Sequence, residues 1–216
     1  MAHMKRHKAP KRWPIHRKGT TFVVTPSFSP QRSVPMLIIL RDMLKICQNR
    51  KETKRAINEK NILLNNKPAR DERDSVLLFD TISIVPAKKN YRLSLALNGK
   101  YALEEISEKE LNFKIAKIID KKILKGKKVQ LNLRDGKNFL SDVKCVIGDS
   151  AVIDFKDKKI SKCLSLKDQA KIVVVEGKHA GKKGFIEKMK PERKMAKLNV
   201  DGNEINVLIK QIMVVE

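Results

Sequence analysis

Three Asx-Gly pairs, Asn98-Gly99, Asp135-Gly136 and Asp201-Gly202, each stand between runs that alternate apolar and polar residues. Both residues of such a pair tolerate positive φ, which the two-residue turn of a β-hairpin requires. Tyr91, Leu93, Leu95 and Leu97 lead into the first pair, and Val129, Leu131 and Leu133 into the second. Leu198 and Val200 precede the third, with Ile205 and Val207 after it. A period of two places one face of each ribbon in a core and the other in water, so residues 89–216 are predicted to form antiparallel sheets closing as small barrels. A short helical patch over Glu104–Leu111 interrupts them. The absence of alternating βα units excludes the parallel nucleotide-binding folds.

Upstream the period changes. Leu37, Leu40, Leu44 and Cys47 fall at i, i+3, i+7 and i+10, which predicts a helix with one apolar face. Arg41, Lys45 and Gln48 line another face of it. Asn49 followed by Glu52 reads as a capping box opening a second helix, with Ala56 and Ile57 inward and Lys51, Lys54 and Arg55 on the opposite face. A loop over Asn61–Asn66 and the alternating Ile82–Ile84 segment then suggest short strands. Two helices with basic faces beside a small β unit make a platform for a phosphate backbone; the plainer reading is a set of solvated lysines.

The chain carries 48 Lys+Arg against 24 Asp+Glu, a formal net charge of +24. Self-repulsion of that size opposes compaction unless counter-ions or a polyanion screen it. The charge is unevenly spread: residues 1–35 hold eight basic residues and no acidic one. Lys5, Arg6, Lys8, Lys11, Arg12, Arg17 and Lys18 lie there among Pro10, Pro14, Pro26, Pro30 and Pro35, a spacing that leaves no room for a useful helix. This segment is expected to be an extended arm, disordered until it meets RNA, with the later modules folding without it. Trp13 and Phe22 either stack on a base or tack the arm onto its own domain. At 5% aromatic and 33% charged residues, several small cores are favoured over one large one. The predicted division is arm 1–35, helical/β domain 36–88, central β domain 89–166 and terminal barrel 167–216, an α+β chain that is mostly β.

Other classes fall away. No apolar run reaches the roughly 18 residues of a membrane span, and the basic start lacks the apolar core of a secretory signal. Cys47, Cys145 and Cys163 are odd in number and far apart, against a disulfide framework or a zinc site and in keeping with a reducing cytosol. The loop Gly177-Lys178-His179-Ala180-Gly181-Lys182-Lys183-Gly184 fails the phosphate-loop template, because only three residues separate its first two glycines and no Ser or Thr follows the lysine. It reads as a basic turn between strands, its glycines supplying positive φ or close approach and its lysines facing an RNA backbone. His3, His7, His16 and His179 have no nucleophile at motif spacing, and His3-x-x-x-His7 would hold a metal only on a helix. No catalytic residue, cofactor, metal or small-molecule substrate is expected.

The arm Lys5-Arg6, Ala9-Pro10-Lys11 and Trp13, followed by Phe22, Pro26, Pro30 and Pro35, Leu37, Leu40-Arg41, Leu44-Lys45, resembles the opening of the e-type small-subunit ribosomal protein four of archaea and eukaryotes, in its archaeal-like form. Asn66-Lys67-Pro68-Ala69-Arg70-Asp71 is similar to that family's turn region, and Asp80–Ile84 to its strand. Tyr91-Arg92-Leu93, Gly99-Lys100-Tyr101-Ala102 and Gln130–Leu133 with Asp135-Gly136 resemble its central region. Val174, Gly177, Gly181, Gly184 and Ile186 fit its KOW pattern. The resemblance spans nearly the whole chain. Ser29-Pro30-Gln31 stands where Gly-Pro-His is usual, Asn61 and Asn66 stand where glycines are common, and little chain follows the last strand.

The resemblance implies a non-enzymatic, cytoplasmic ribosomal protein that braces small-subunit ribosomal RNA beside neighbouring small-subunit proteins. It implies an S-four-type helical motif using Arg41, Lys45, Lys51, Lys54, Arg55, Lys67 and Arg70, and an SH3-like KOW barrel using Gly177, Lys178, Lys182 and Lys183. The alternatives are an RNA-modifying enzyme, which needs a large α/β catalytic core, and a KOW-type transcription or translation adaptor, which needs a different leading domain. A membrane-surface role lacks its amphipathic helix.

Overall fold

The computed structural model describes residues 3–141, 143–190, 193–200 and 202–215. They form two compact units, 3–95 with 100–112 and 96–99 with 113–215. Unit one contains β1 (His3–Lys5), β2 (Phe22–Val24), β3 (Ser33–Pro35), a short helix α1 (Met36–Ile38) that widens into a π turn over Ile39–Met43, and α2 (Arg50–Asn58). It continues through β4 (Ile62–Leu64), β5 (Lys67–Pro68), β6 (Ser75–Leu77), β7 (Thr81–Ile84), β8 (Lys89–Leu95) and β9 (Tyr101–Glu105). Five strands make its main sheet, in the order β5-β4-β7-β8-β9, while β1 pairs with β2 and β3 with β6.

Two expectations about this half are corrected. The boundary at 88/89 would cut one sheet, because β7 and β8 pair antiparallel with Ile84 opposite Lys89. The same alternation runs on both sides of that hairpin, so nothing local marks which sheet a strand joins. Nor is the 1–35 segment a loose arm. Trp13 is only 1% exposed, and its indole Nε1–H donates to the Ser33 carbonyl at 2.8 Å. The Tyr101 N–H donates to the Arg12 carbonyl at 2.9 Å. The buried indole with its one donor satisfied, the buried Ala9, Val23 and Val34, and the pairing of β1 with β2 and of β3 with β6 together offset the ordering cost of the proline-rich segment.

The first helix also differs. Met36, Leu37, Ile38, Ile39 and Leu40 are all buried, so this turn has no solvent face. The chain reverses at Lys45, which adopts φ 55°, before Cys47 is reached. The predicted Arg41–Lys45–Gln48 face is therefore absent. In the turn between β4 and β5 both Asn65 (φ 52°) and Asn66 (φ 60°) are left-handed, as a two-residue hairpin demands. Asn61 is not among the left-handed residues; its neighbour Lys60 is, at φ 57°. The expected patch over 104–111 is mostly strand and loop, with one 3-10 turn at Glu110–Asn112.

Unit two holds two antiparallel sheets. The first contains β10 (Phe113–Ile123), β11 (Val129–Leu133), β12 (Asn138–Leu140), β13 (Ser150–Asp154) and β14 (Lys159–Leu164), ordered β12-β11-β10-β13-β14. The second contains β15 (Lys171–Val174), β16 (Lys183–Lys190), β17 (Met195–Val200), β18 (Asn203–Leu208) and β19 (Ile212–Val214), ordered β18-β17-β16-β15-β19. Val207 on one edge strand and Ile212 and Val214 on the other share a core cluster with Ile172, Ile186 and Leu198, so this sheet curls around a single core. The turns at Gly99, Gly136 and Gly202 have φ 73°, 83° and 81°. Asp201 of the third predicted pair lies outside the described residues.

A buried lysine joins the two sheets of this unit. Lys117 on β10 is 6% exposed and donates to the carbonyls of Ile209 (2.5 Å) and Ile212 (2.8 Å). Burial, then the neighbouring Arg134 charge, lowers its pKa from 10.5 to about 8, against the opposing pull of Glu176. The Ser150 hydroxyl oxygen accepts from the Val214 N–H at 3.0 Å beside it.

Trp13→Ala is expected to lower stability by about 3–5 kcal/mol, as for other buried aromatics. Urea unfolding followed by circular dichroism checks this; an unchanged midpoint would restore the detached arm. Lys117 gives a pH signature of definite sign. The unfolded chain keeps this proton up to about pH 10.5 and the folded chain only to about 8, so stability relative to Lys117→Met should climb between those values. The full rise is at most about 3 kcal/mol, and unfolding curves of both proteins across that window measure it.

Candidate nucleic-acid interface

The clearest basic surface is α2. Asn49 caps it as the sequence predicts: its Oδ1 accepts from the Glu52 N–H at 3.0 Å, and Glu52 Oε2 accepts from the Gln48 N–H at 2.7 Å. Thr53 and Ile57, four residues apart, are buried, which turns Lys51, Lys54 and Arg55 to solvent on one face. Ala56 is only half-buried.

Beneath the helix lies Glu72, 1% exposed, whose carboxylate binds the Arg50 guanidinium and stands 3.9 Å from Lys54 Nζ. The hydrogen bond to Glu72 raises the Arg50 pKa further above its already high value. Glu72 thus holds the first turn of α2 against the body of the unit. Arg55 pairs with Glu59 at 2.8 Å, one turn on.

The remaining predicted residues are dispersed. Arg41 is half-buried and binds its neighbour Asp42 at 2.8 Å, and Lys45 is exposed on the reversed loop. Lys67 and Arg70 are exposed at and after β5, where the Arg70 N–H donates to Asp74 at 2.6 Å. In the first segment Lys5, Lys8, Lys11, Arg17 and Lys18 are exposed and Arg12 is half-buried. Arg6 is committed internally: Nε donates to the Thr20 carbonyl (2.6 Å), Nη1 to the His16 carbonyl (2.8 Å) and Nη2 to Thr20 Oγ1 (2.6 Å). Trp13, offered as a stacking residue, is buried, so its ring packs the segment down.

In unit two Lys178, in the loop between β15 and β16, and Lys183, at the start of β16, are exposed, while Lys182 is half-buried. Gly177 and Gly181 take φ 92° and 91°. At Gly184 the reason is different: a Cβ there would lie 2.3 Å from the Asn199 carbonyl oxygen on the neighbouring strand. The sequence reading missed Arg50, whose value lies in a carboxylate twenty-two positions away, and Lys100, which the Tyr101–Arg12 hydrogen bond brings beside the first segment. Neither has a local signal. Among the described residues no group of His, Cys, Asp or Glu is arranged to hold a metal, and no helix is long and apolar enough to cross a membrane.

Residues 87–160 match the model of the family described as Ribosomal family S4e, and residues 2–30 that of the RS4NT (NUC023) domain. The chain is 35% identical over 197 residues to small ribosomal subunit protein eS4 of Methanocella arvoryzae, covering 90% of this chain and 83% of that one. It is 35% identical over 202 residues to the eS4 protein of Haloarcula marismortui, covering 92% and 86%. Among solved structures, the 30S ribosomal protein S4e from Thermoplasma acidophilum is similar with a TM-score of 0.73 over 85% of this chain and 95% of that chain. At 24% identity this last likeness is one of fold.

The two basic roles on α2 separate by mutation. Arg50→Gln leaves Glu72 buried with a weaker partner and is expected to cost about 1–2 kcal/mol, below the figure for a fully buried pair because the guanidinium is half in water. Lys51→Gln on the solvent face should leave the urea midpoint unchanged. Equal losses in the two variants would contradict this division.

Proposed function

The chain belongs to the ribosomal S4e family, and from that premise we propose that its exposed basic surfaces bind small-subunit ribosomal RNA and brace its fold. It is a structural constituent of the small ribosomal subunit in the cytoplasm, supporting translation, and not an enzyme. The observation that carries this is the 35% identity to eS4 proteins over nine tenths of the chain. The charge supports it: eight basic and no acidic residues in 1–35, and a solvent face of Lys51, Lys54 and Arg55 on α2. Within the RNA surface we place Lys5, Lys8, Lys11, Arg12, Arg17 and Lys18 of the first segment. Lys51, Lys54, Arg55, Lys67 and Arg70 join them around α2 and β5, with Arg41 and Lys45 at its margin. Lys178, Lys182 and Lys183 supply the contacts of the glycine loop. Neighbouring small-subunit proteins are the other partners.

Phosphates neutralised by these side chains release counter-ions, so affinity should fall steeply with salt. Shape and backbone rather than base sequence then set the site. The test is binding of the full chain to small-subunit ribosomal RNA over a salt series, beside Lys51→Gln/Lys54→Gln/Arg55→Gln. The triple variant should bind more weakly, with a shallower salt slope, by about 0.7–0.9 for each phosphate that is no longer neutralised. An unchanged slope would remove α2 from the interface, and failure of the intact chain to co-sediment with small subunits would sink the reading as a whole.

A further inference from the structure

The first segment encloses a cavity of about 230 Å³ that none of the roles above requires. Its walls come from three stretches of chain: the run from Arg6 to Lys11, the loop carrying His16 and Arg17, and Lys100 before β9. No acidic side chain among the described residues lines it, and Lys11, His16, Arg17 and Lys100 stand around it. Ala9, Pro10, Trp13 and Ile15 supply its apolar lining.

This cavity is built rather than left between loose loops. The three hydrogen bonds of Arg6 to His16 and Thr20 tie the far loop to the near wall. The Trp13 Nε1–H bond to Ser33 fixes the indole, and the Tyr101–Arg12 backbone bond fixes the approach of Lys100. Arg6 is thus a positioning residue, and the exposed Lys11 and Arg17 are placed to contact a ligand. Lys11 and Arg17 in a lining without a carboxylate favour a phosphate, while Ala9, Pro10 and Ile15 in the same lining favour the sugar or base attached to it. The volume is below the roughly 300–1,000 Å³ of cofactor pockets, which limits the guest to a single nucleotide.

We infer that this cavity receives one unstacked nucleotide of an RNA strand, held by its phosphate between Lys11 and Arg17 with its sugar or base against Ala9, Pro10 and Ile15. The inference rests on the RNA-binding reading and adds to it a specific nucleotide seat.

Trp13 is the only tryptophan, so its emission reports on this cavity. The full chain is titrated with pentauridylate, uridine 5′-monophosphate, inorganic phosphate and uridine. A saturable emission change is expected with pentauridylate and, more weakly, with the monophosphate. Lys11→Gln with Arg17→Gln should raise the half-saturation concentration about tenfold, the effect of losing a charge-assisted hydrogen bond. Lys188→Gln with Lys190→Gln, on β16 of the other unit, should not shift it. The inference is overturned by the lack of a saturable change, by uridine matching the monophosphate, or by a response the first pair of substitutions leaves intact. Inorganic phosphate matching the monophosphate makes the cavity a simple anion site, and a monophosphate tighter than pentauridylate makes it a free-nucleotide site; either also overturns it. Small-subunit RNA binding by the same proteins separates the failures: RNA retained with a silent cavity sinks only the nucleotide seat, whereas RNA binding absent from the unsubstituted chain sinks the reading beneath it.

Discussion

Repulsion among 48 basic side chains is the constraint that this fold must satisfy, with only 24 acidic ones to oppose it. Several of those carboxylates are placed inside, where each gathers several donors. Glu72 takes Arg50 and faces Lys54; Asp80 takes the Leu77 N–H at 2.7 Å and Asn65 Nδ2 at 2.9 Å. Asp149 takes the N–H groups of Val146 and Leu166, each at 2.9 Å, and Asp135 takes the buried Lys114 at 2.8 Å. Carboxylates fixed by directed hydrogen bonds organise loops and helix ends that a small apolar core would hold poorly. Other carboxylates, Glu59 beside Arg55 among them, stay on the surface between the lysines and arginines.

The same economy explains the first segment. Its basic residues cannot pack on one another, so a few apolar anchors hold it, and Trp13 is the largest, with Ala9, Val23 and Val34 also buried. With the indole seated under Ser33, Arg6 turns inward and ties the loop above it, while Lys11, Arg17 and Lys18 remain in solvent. A preordered charged surface spends less entropy on meeting RNA than a disordered one.

Much of this was legible where the signal is local. Gly99, Gly136 and Gly202 take the positive φ that their turns demand, and Asn49 with Glu52 caps α2 as its spacing indicates. The alternation at Val129, Leu131 and Leu133 puts Leu131 and Leu133 in a core. The failures are non-local. Met36 to Leu40 is buried on every side, so helical periodicity could not say where the helix ends; the reversal at Lys45 is imposed by packing. The pairing of β8 with β7 is a choice among equivalent strands. The composition of residues 1–35 describes a disordered chain, and the contacts that order it are distant in sequence: Trp13 to a residue twenty positions on, β3 to β6 and Arg12 to Tyr101. Of the site, the α2 face was readable from its period, whereas Lys100 and Glu72 enter only through the fold.

The strand order of the last sheet bears on the timing of synthesis. Val173 of β15 is paired with Met213 of β19, so this sheet lacks an edge until Val214 has been made. Unit one, by contrast, is complete at Asn112. A chain that folds as it emerges, amino end first, therefore has Trp13 buried and Lys11 and the α2 face displayed in finished form while β15 still waits for its neighbour. The half that carries the densest uncompensated charge is ready for its polyanion before the other half has a closed core.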